Sequence, residues 1–161
     1  MTLYRLKEGS MSAHDQTYVN NEAAARSGEQ IDFSFGKNWL AYVWGLEERH
    51  IMAAQRSFVE STGLTSLAGY SFLDAGCGSG LSSLVASRLN AEKVVSFDID
   101  PNSVACTEQL RSRFAGDASR WEVHTHSLLD RDLSLKIAPA NIVCCWGVAH
   151  HTGSMWEAID H

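Results

Sequence analysis

Between Phe72 and Gly80 the chain reads FLDAGCGSG, with Gly76, Gly78 and Gly80 at alternate positions and Asp74 just ahead of them. The next apolar run closes on a second carboxylate, Asp98. Glycine takes positive φ without strain and carries no Cβ, so a ligand can lie directly against such a backbone. Leu81, Leu84, Val85 and Leu89 follow at i, i+3, i+4 and i+8, the spacing of an amphipathic helix. The stretch is therefore a strand, a tight turn and a helix. The start of that helix adds unpaired N–H groups and a positive dipole end, which suit an anionic group such as a carboxylate.

The spacing narrows the ligand. A dinucleotide fingerprint needs G-x-G-x-x-G, but counting from Gly76 the third glycine falls on Leu81, and counting from Gly78 it falls on Ser83. A phosphate P-loop needs Gly-Lys-Ser/Thr, and no lysine is near. What remains is D-x-G-x-G-x-G. The bland alternative is an ordinary glycine turn in an α/β domain. Three alternate glycines between a strand and a helix, with an acidic strand end downstream, favour a ligand-binding turn.

The elements that must position these residues alternate in type. A chain of 161 residues is one domain with room for a core. Glu47 to Thr62 reads as a helix with Ile51, Ala54, Phe58 and Val59 on one face, stopped by Gly63. Lys93 to Asp98 is a second strand, apolar enough to be buried in a parallel sheet. Pro101-Asn102-Ser103 opens the next helix, capped by Ser103 or Asn102 and turning Val104, Leu110 and Phe114 inward. Trp121 to His126 is a third strand suited to a sheet edge. Leu128 to Ala138 is a loop with a helical turn, and Asn141 to Trp146 is a fourth strand. A last helix begins near Ser154. Strands alternating with helices imply an α/β, doubly wound, mostly parallel sheet, with the ligand at the carboxyl ends beside a switch point between strands 1 and 4. The glycine loop, Asp98, Ser127 and Trp146 all fall at such ends.

Composition excludes several classes. An apolar share of 45% and a charged share of 20% are those of a globular chain. Net charge is −6 and no Lys/Arg run builds a basic stripe, so tight binding to nucleic acid through phosphates is disfavoured. No stretch approaches a membrane span and the N-terminus lacks a signal-peptide core, which places the expected location in the cytoplasm, with no membrane partner. Cys77, Cys106, Cys144 and Cys145 have no C-x-x-C spacing and read as reduced, small apolar residues, the last two on a buried strand. A metal site built on His124, His126, His150 and His151 lacks carboxylate or Cys partners at ligand spacing, so no metal is expected.

With these residues the chain resembles the class I S-adenosylmethionine-dependent methyltransferases, whose first motif has the form of Asp74–Gly80. The segments FGKNW, SFDIDPNSVACT and CWGVAHHTGSMW resemble a bacterial small-molecule subgroup, so the likeness covers roughly residues 33 to 161. It implies a Rossmann-like fold with S-adenosylmethionine as cofactor and S-adenosylhomocysteine as product. Asp74, Gly76, Cys77, Gly78 and Gly80 would hold the methionine end. Asp98 would accept the ribose hydroxyls, with Asp100 as rival, and Ile99 would pack on the adenine. Ser127 and Leu128 would flank that base, and Trp146 would close the site at the fourth strand. His150 and His151 stand where an acceptor would approach, and a neutral His could take a hydroxyl proton. Equally, one could pack on the sheet and the other merely line the pocket.

No Asn/Asp-Pro-Pro-aromatic segment follows the fourth strand and no Pro-Cys pair occurs, which leaves a small-molecule methyl acceptor and no nucleic acid as the expectation. Residues 1–45 read as a lead-in and aromatic helical lid (Phe33, Phe35, Trp39, Tyr42, Trp44), and 46–161 as the cofactor domain. The family sheet runs 3-2-1-4-5-7-6, so this one lacks the last three strands and leaves the fourth as an apolar edge. The chain is then expected to be a fragment, or to form a homodimer or take another partner that completes the sheet at strand 4. Two classes stay open: a methyltransferase, or a non-catalytic cofactor-binding module. An NAD enzyme is weakened by Leu81.

Overall fold

In a computed structural model, Trp39 and residues 42–160 are described. The expected lead-in and lid over 1–45 thus lies largely outside the described residues. The elements are α1 (Glu48–Thr62), β1 (Ser71–Ala75), α2 (Leu81–Arg88), β2 (Lys93–Asp98), α3 (Pro101–Phe114), β3 (Trp121–Thr125), α4 (Leu133–Lys136), β4 (Ile142–Cys144) and α5 (Met155–Asp160). Short 3₁₀ turns at Ala118–Arg120 and Ala149–His151, which periodicity does not signal, precede β3 and α5.

The four strands pair in the order β3-β2-β1-β4, every pair parallel, as a doubly wound sheet requires. Register puts Phe72 opposite Val94 and Ile142, and Asp74 opposite Ser96. Alternation then divides the sheet into two faces. One face carries Phe72, Val94 and Trp121 into a core with Ile51, Leu67, Leu84, Val85 and Leu110. The other carries Ala75, Val95 and Phe97 onto Leu133 and Ile137, a smaller cluster. Asp74 and Ser96 share the first, larger face, so their polar groups must be satisfied inside it.

Local signals explain the element ends. Gly63 closes α1 at φ 73, with its amide on Val59 O. The α1 start is capped when the Glu47 amide donates to His50 Nδ1 at 3.1 Å. Arg88 at the end of α2 pairs with Glu48 at the start of α1. The cap of α3 differs from the expected Ser103 or Asn102. Asp100 takes that position, its carboxylate accepting from Asn102 N at 2.9 Å, because Pro101 occupies the first helical turn where a missing N–H costs nothing. Inside α3, Ser103, Cys106, Thr107 and Leu110 are buried, whereas Val104 is only half-buried. The strand expected over Asn141 to Trp146 shortens to three residues and is not buried: Val143 and Cys145 are exposed and Cys144 is half-buried. Among the described residues β4 is an edge with one neighbour, β1, so apolar composition there does not mean burial.

Candidate functional site

The turn after β1 is built from left-handed backbone, with φ of 79, 53 and 78 at Gly76, Gly78 and Gly80. The amides of its three glycines and of Cys77 are engaged within the protein. Gly76 and Cys77 donate to Phe97 O at 2.8 and 2.9 Å, and Gly80 donates to Cys77 O at 2.8 Å. The absent side chains are matched by neighbours from three parts of the chain. A Cβ on Gly76 would stand 2.5 Å from Val148 Cγ1, one on Gly80 2.7 Å from Thr107 Oγ1, and one on Gly78 3.2 Å from Trp39 Nε1. The first task of these glycines is therefore to make the turn and admit the protein's own side chains, rather than to leave bare backbone for a ligand. Thr107 also donates to Gly78 O at 3.2 Å and meets Cys77 Sγ at 3.3 Å, so α3 pins the turn from beneath. The donors that helix geometry leaves for a ligand are the first two amides of α2, at Leu81 and Ser82, because Ser83 N is held by Asp74 Oδ2.

Asp98 closes β2 beside this turn. One oxygen accepts from Gly78 N and the other from Asp100 N, both at 2.9 Å. A carboxylate has about four acceptor positions, so two backbone donors orient it and leave room for two hydroxyls. Its rival Asp100 is committed to the α3 cap. Ile99, 70% exposed, stands free next to Asp98.

Asp74 is of another kind, with only 3% exposure. Its Oδ2 accepts from Ser83 Oγ at 2.5 Å and from Ser83 N at 3.1 Å. Ser83 Oγ meets Ser96 Oγ at 2.7 Å, and the Trp121 indole N–H donates to the same Ser96 Oγ at 2.7 Å. Burial pushes the Asp74 carboxyl up to about 6, opposed by the Ser83 hydrogen bonds and reinforced by nearby Asp98. Burial likewise drives the Cys77 thiol far up, so it stays neutral.

The remaining expected residues are more loosely gathered. Ser127 donates its amide to Asp130 Oδ2 at 3.1 Å and accepts from Leu129 N at 3.1 Å, while Leu128 packs on the smaller core cluster. The His126 amide donates to Asp98 O at 3.1 Å, which brings this turn to the end of β2. Trp146 is 87% exposed. His150 and His151 lie in the 3₁₀ turn, both exposed, with ring centroids 3.9 Å apart. Burial, then the neighbouring His150, lowers the His151 pKa. His124 and His126 share a face with rings stacked at 5.9 Å, and each faces a carboxylate, Glu122 and Asp130. Among the described residues no group of three or more His, Cys, Asp or Glu could hold a metal ion, and no helix is long and apolar enough to cross a membrane.

Sequence reasoning missed Ser83, Ser96, Thr107 and Val148. A signal existed for Ser96, a lone hydroxyl in the apolar strand KVVSFD. Thr107 and Val148 could not be found from spacing, because their role appears only when distant segments meet the glycines.

The pattern of the ribosomal protein L11 methyltransferase (PrmA) family matches residues 58–159. Named ribosomal protein L11 methyltransferases from Azotobacter vinelandii and Vibrio parahaemolyticus are 38% and 35% identical over 77 residues, 48% of this chain. The chain spans about a quarter of the length of these curated relatives, 24% and 26%. Among solved structures, EvdMO1 superposes over 95% of this chain and 34% of its own at a TM-score of 0.55 and 14% identity. A protein of Listeria monocytogenes assigned as an S-adenosylmethionine-dependent methyltransferase covers 66% and 46% at 0.50 and 18%. At these identities the superpositions carry the fold alone, and they agree with the Rossmann-like sheet. The relatives' names overturn one expectation. They specify a ribosomal protein as acceptor, so the small-molecule acceptor, and the exclusion of nucleic acid that went with it, do not stand. Neither a net charge of −6 nor the missing base-methylation motifs bears on a protein acceptor, which is recognised by side chains and backbone.

Proposed function

The chain belongs to the ribosomal protein L11 methyltransferase (PrmA) family, and from that premise we propose that it transfers a methyl group from S-adenosylmethionine to a protein acceptor of the kind its relatives are named for. The observation that carries the cofactor half of this reading is the Asp98 carboxylate. It is oriented by Gly78 N and Asp100 N with acceptor capacity to spare, directly beside the glycine turn. In this reading the ribose hydroxyls donate to Asp98, Ile99 covers one face of the adenine, and the Ser127–Leu128 turn lies at its edge. The first amides of α2 and the buried Asp74 take the carboxylate and ammonium of the methionine end. The sulfonium methyl then points toward the segment after β4, which carries Trp146, His150 and His151.

Methyl transfer is an in-line displacement, helped chiefly by holding the nucleophile roughly 3 Å from the methyl carbon and aligned with it. A neutral His151, its pKa lowered by burial and by His150, suits removal of a proton from the acceptor. A second reading, a cofactor-binding module without turnover, is favoured by the exposure of both histidines. Calorimetry with S-adenosylmethionine followed by transfer of a tritiated methyl group to ribosomal protein L11 separates them. Saturable binding with label in the protein supports the transferase. Binding without label supports the module, and no binding sinks both.

A further inference from the structure

The buried hydrogen-bond chain behind Asp74 has a direction. An indole N–H can only donate, so Ser96 Oγ accepts from Trp121. The single Ser96 hydroxyl proton then goes to Ser83 Oγ, 2.7 Å away, and the single Ser83 proton goes to Asp74 Oδ2. Reversing the order would aim two donors at Ser96 and leave its own proton without an acceptor. Ser83 and Ser96 are fully buried and Trp121 nearly so, and water does not reach them to compensate. The register of the sheet makes the chain: Ser96 is the Cα partner of Asp74 across β1–β2, and Trp121 is the partner of Val94 across β2–β3, on the same face.

We propose that Ser83, Ser96 and Trp121 are positioning residues, whose one-way donor chain holds the Asp74 carboxylate ionised and in a single orientation as the fixed negative charge of the cofactor site. The assignment of Asp74 to that site rests on the cofactor reading above. The hydrogen bond from Ser83 to the ionised Asp74 is about twice as strong as a neutral one, and the Ser96 and Trp121 links favour the charged form indirectly, by polarising the hydroxyl ahead of them. Burial and Asp98 on β2 work against it. Among the described residues the other titratable groups around Asp74 are Cys77 in the loop, Cys144 on β4 and Cys145 just after it. All three thiols are pushed up and neutral near pH 7, so they supply no compensating charge. From α2 the carboxylate meets only Ser83, through its hydroxyl and its amide. Among the described residues, the donor chain together with the Ser83 amide is thus what opposes protonation of Asp74.

The test is the carboxyl-carbon NMR titration of Asp74 in the cofactor-free protein, assigned with Asp74→Asn and compared with Ser96→Ala, Trp121→Phe and Ser96→Thr. Ser96→Ala raises the midpoint by roughly half a unit to one unit. Trp121→Phe raises it less, and Ser96→Thr, which keeps the hydroxyl, returns it toward the wild-type value. S-adenosylmethionine affinity in Ser96→Ala falls by a larger factor at pH 6 than at pH 8. A midpoint that does not move in Ser96→Ala, or in Trp121→Phe should the former not fold, overturns the proposal. So does an affinity loss equal at both pH values, which marks a merely structural role. A wild-type protein that binds no cofactor defeats the functional reading instead, because the carboxyl titration still reports on the chain.

Discussion

The carboxyl ends of β1 and β2 and the carboxyl end of β4 belong to one candidate site but are built in opposite ways. At the first, the polar groups are sunk in the core: Asp74 rests on Ser83, the turn amides on Phe97 O and Asp98, and the absent glycine side chains on Val148, Thr107 and Trp39. At the second, Val143, Trp146, His150 and His151 lie at the surface, and the glycines there, Gly147 and Gly153, have nothing within 4 Å of their missing Cβ. Chemistry written into packing can be read from packing. Chemistry held on a surface takes its shape from whatever meets that surface, and this is why the strand–turn–helix beside Asp98 was legible while the expected acceptor did not stand.

The sharpest test sets two glycines with the same dihedral against each other. Gly80 and Gly153 have φ of 78 and 76, but only Gly80 has Thr107 Oγ1 at 2.7 Å from the missing Cβ. Gly153→Ala should cost about 1–2 kcal/mol, the left-handed penalty alone. Gly80→Ala adds an overpacking cost and should lose about 2–5 kcal/mol in denaturant unfolding. Equal losses would mean that the turn is no more tightly packed than the open segment.

Next in size is the pH dependence of Asp74. Its folded pKa of about 6 lies above the reference 3.8, so the folded state binds the proton more tightly than the unfolded one. The stability this gives is fully present below about pH 4 and is lost as pH rises through 6. Relative to Asp74→Asn, the wild type should therefore lose on the order of 3 kcal/mol between pH 4 and pH 7. A flat difference would place Asp74 in contact with solvent. On the open side the effect should be slight and local. His150→Ala should leave stability within about 0.5 kcal/mol and raise the His151 midpoint in an NMR titration by removing a neighbouring positive charge. A large stability loss there would erase the contrast between the two ends.

How much of this was legible in the sequence follows the same division. Alternate glycines after an apolar run gave the strand–turn–helix of Ser71 to Arg88, and KVVSFD gave β2 to the residue, because both depend on local periodicity and backbone freedom. The Asp100 cap differs from the expectation although Asp caps as well as Asn or Ser, because Pro101 is the first helical residue and the cap therefore lies just before it. Burial of β4 was misjudged because NIVCCW is apolar throughout, and composition says nothing about whether a neighbour lies alongside. The Trp121–Ser96–Ser83–Asp74 chain was illegible for a different reason. It joins three elements through sheet register, which no single stretch of sequence encodes.

Whether the turn and the end of β2 form the nucleoside site is decided by calorimetric titration of S-adenosylmethionine into the wild type and Asp98→Ala. Saturable binding to the wild type with a loss of roughly 10- to 100-fold in the variant is the predicted result, one or two hydrogen bonds to a charged acceptor being at stake. Equal affinity in the two proteins would contradict it.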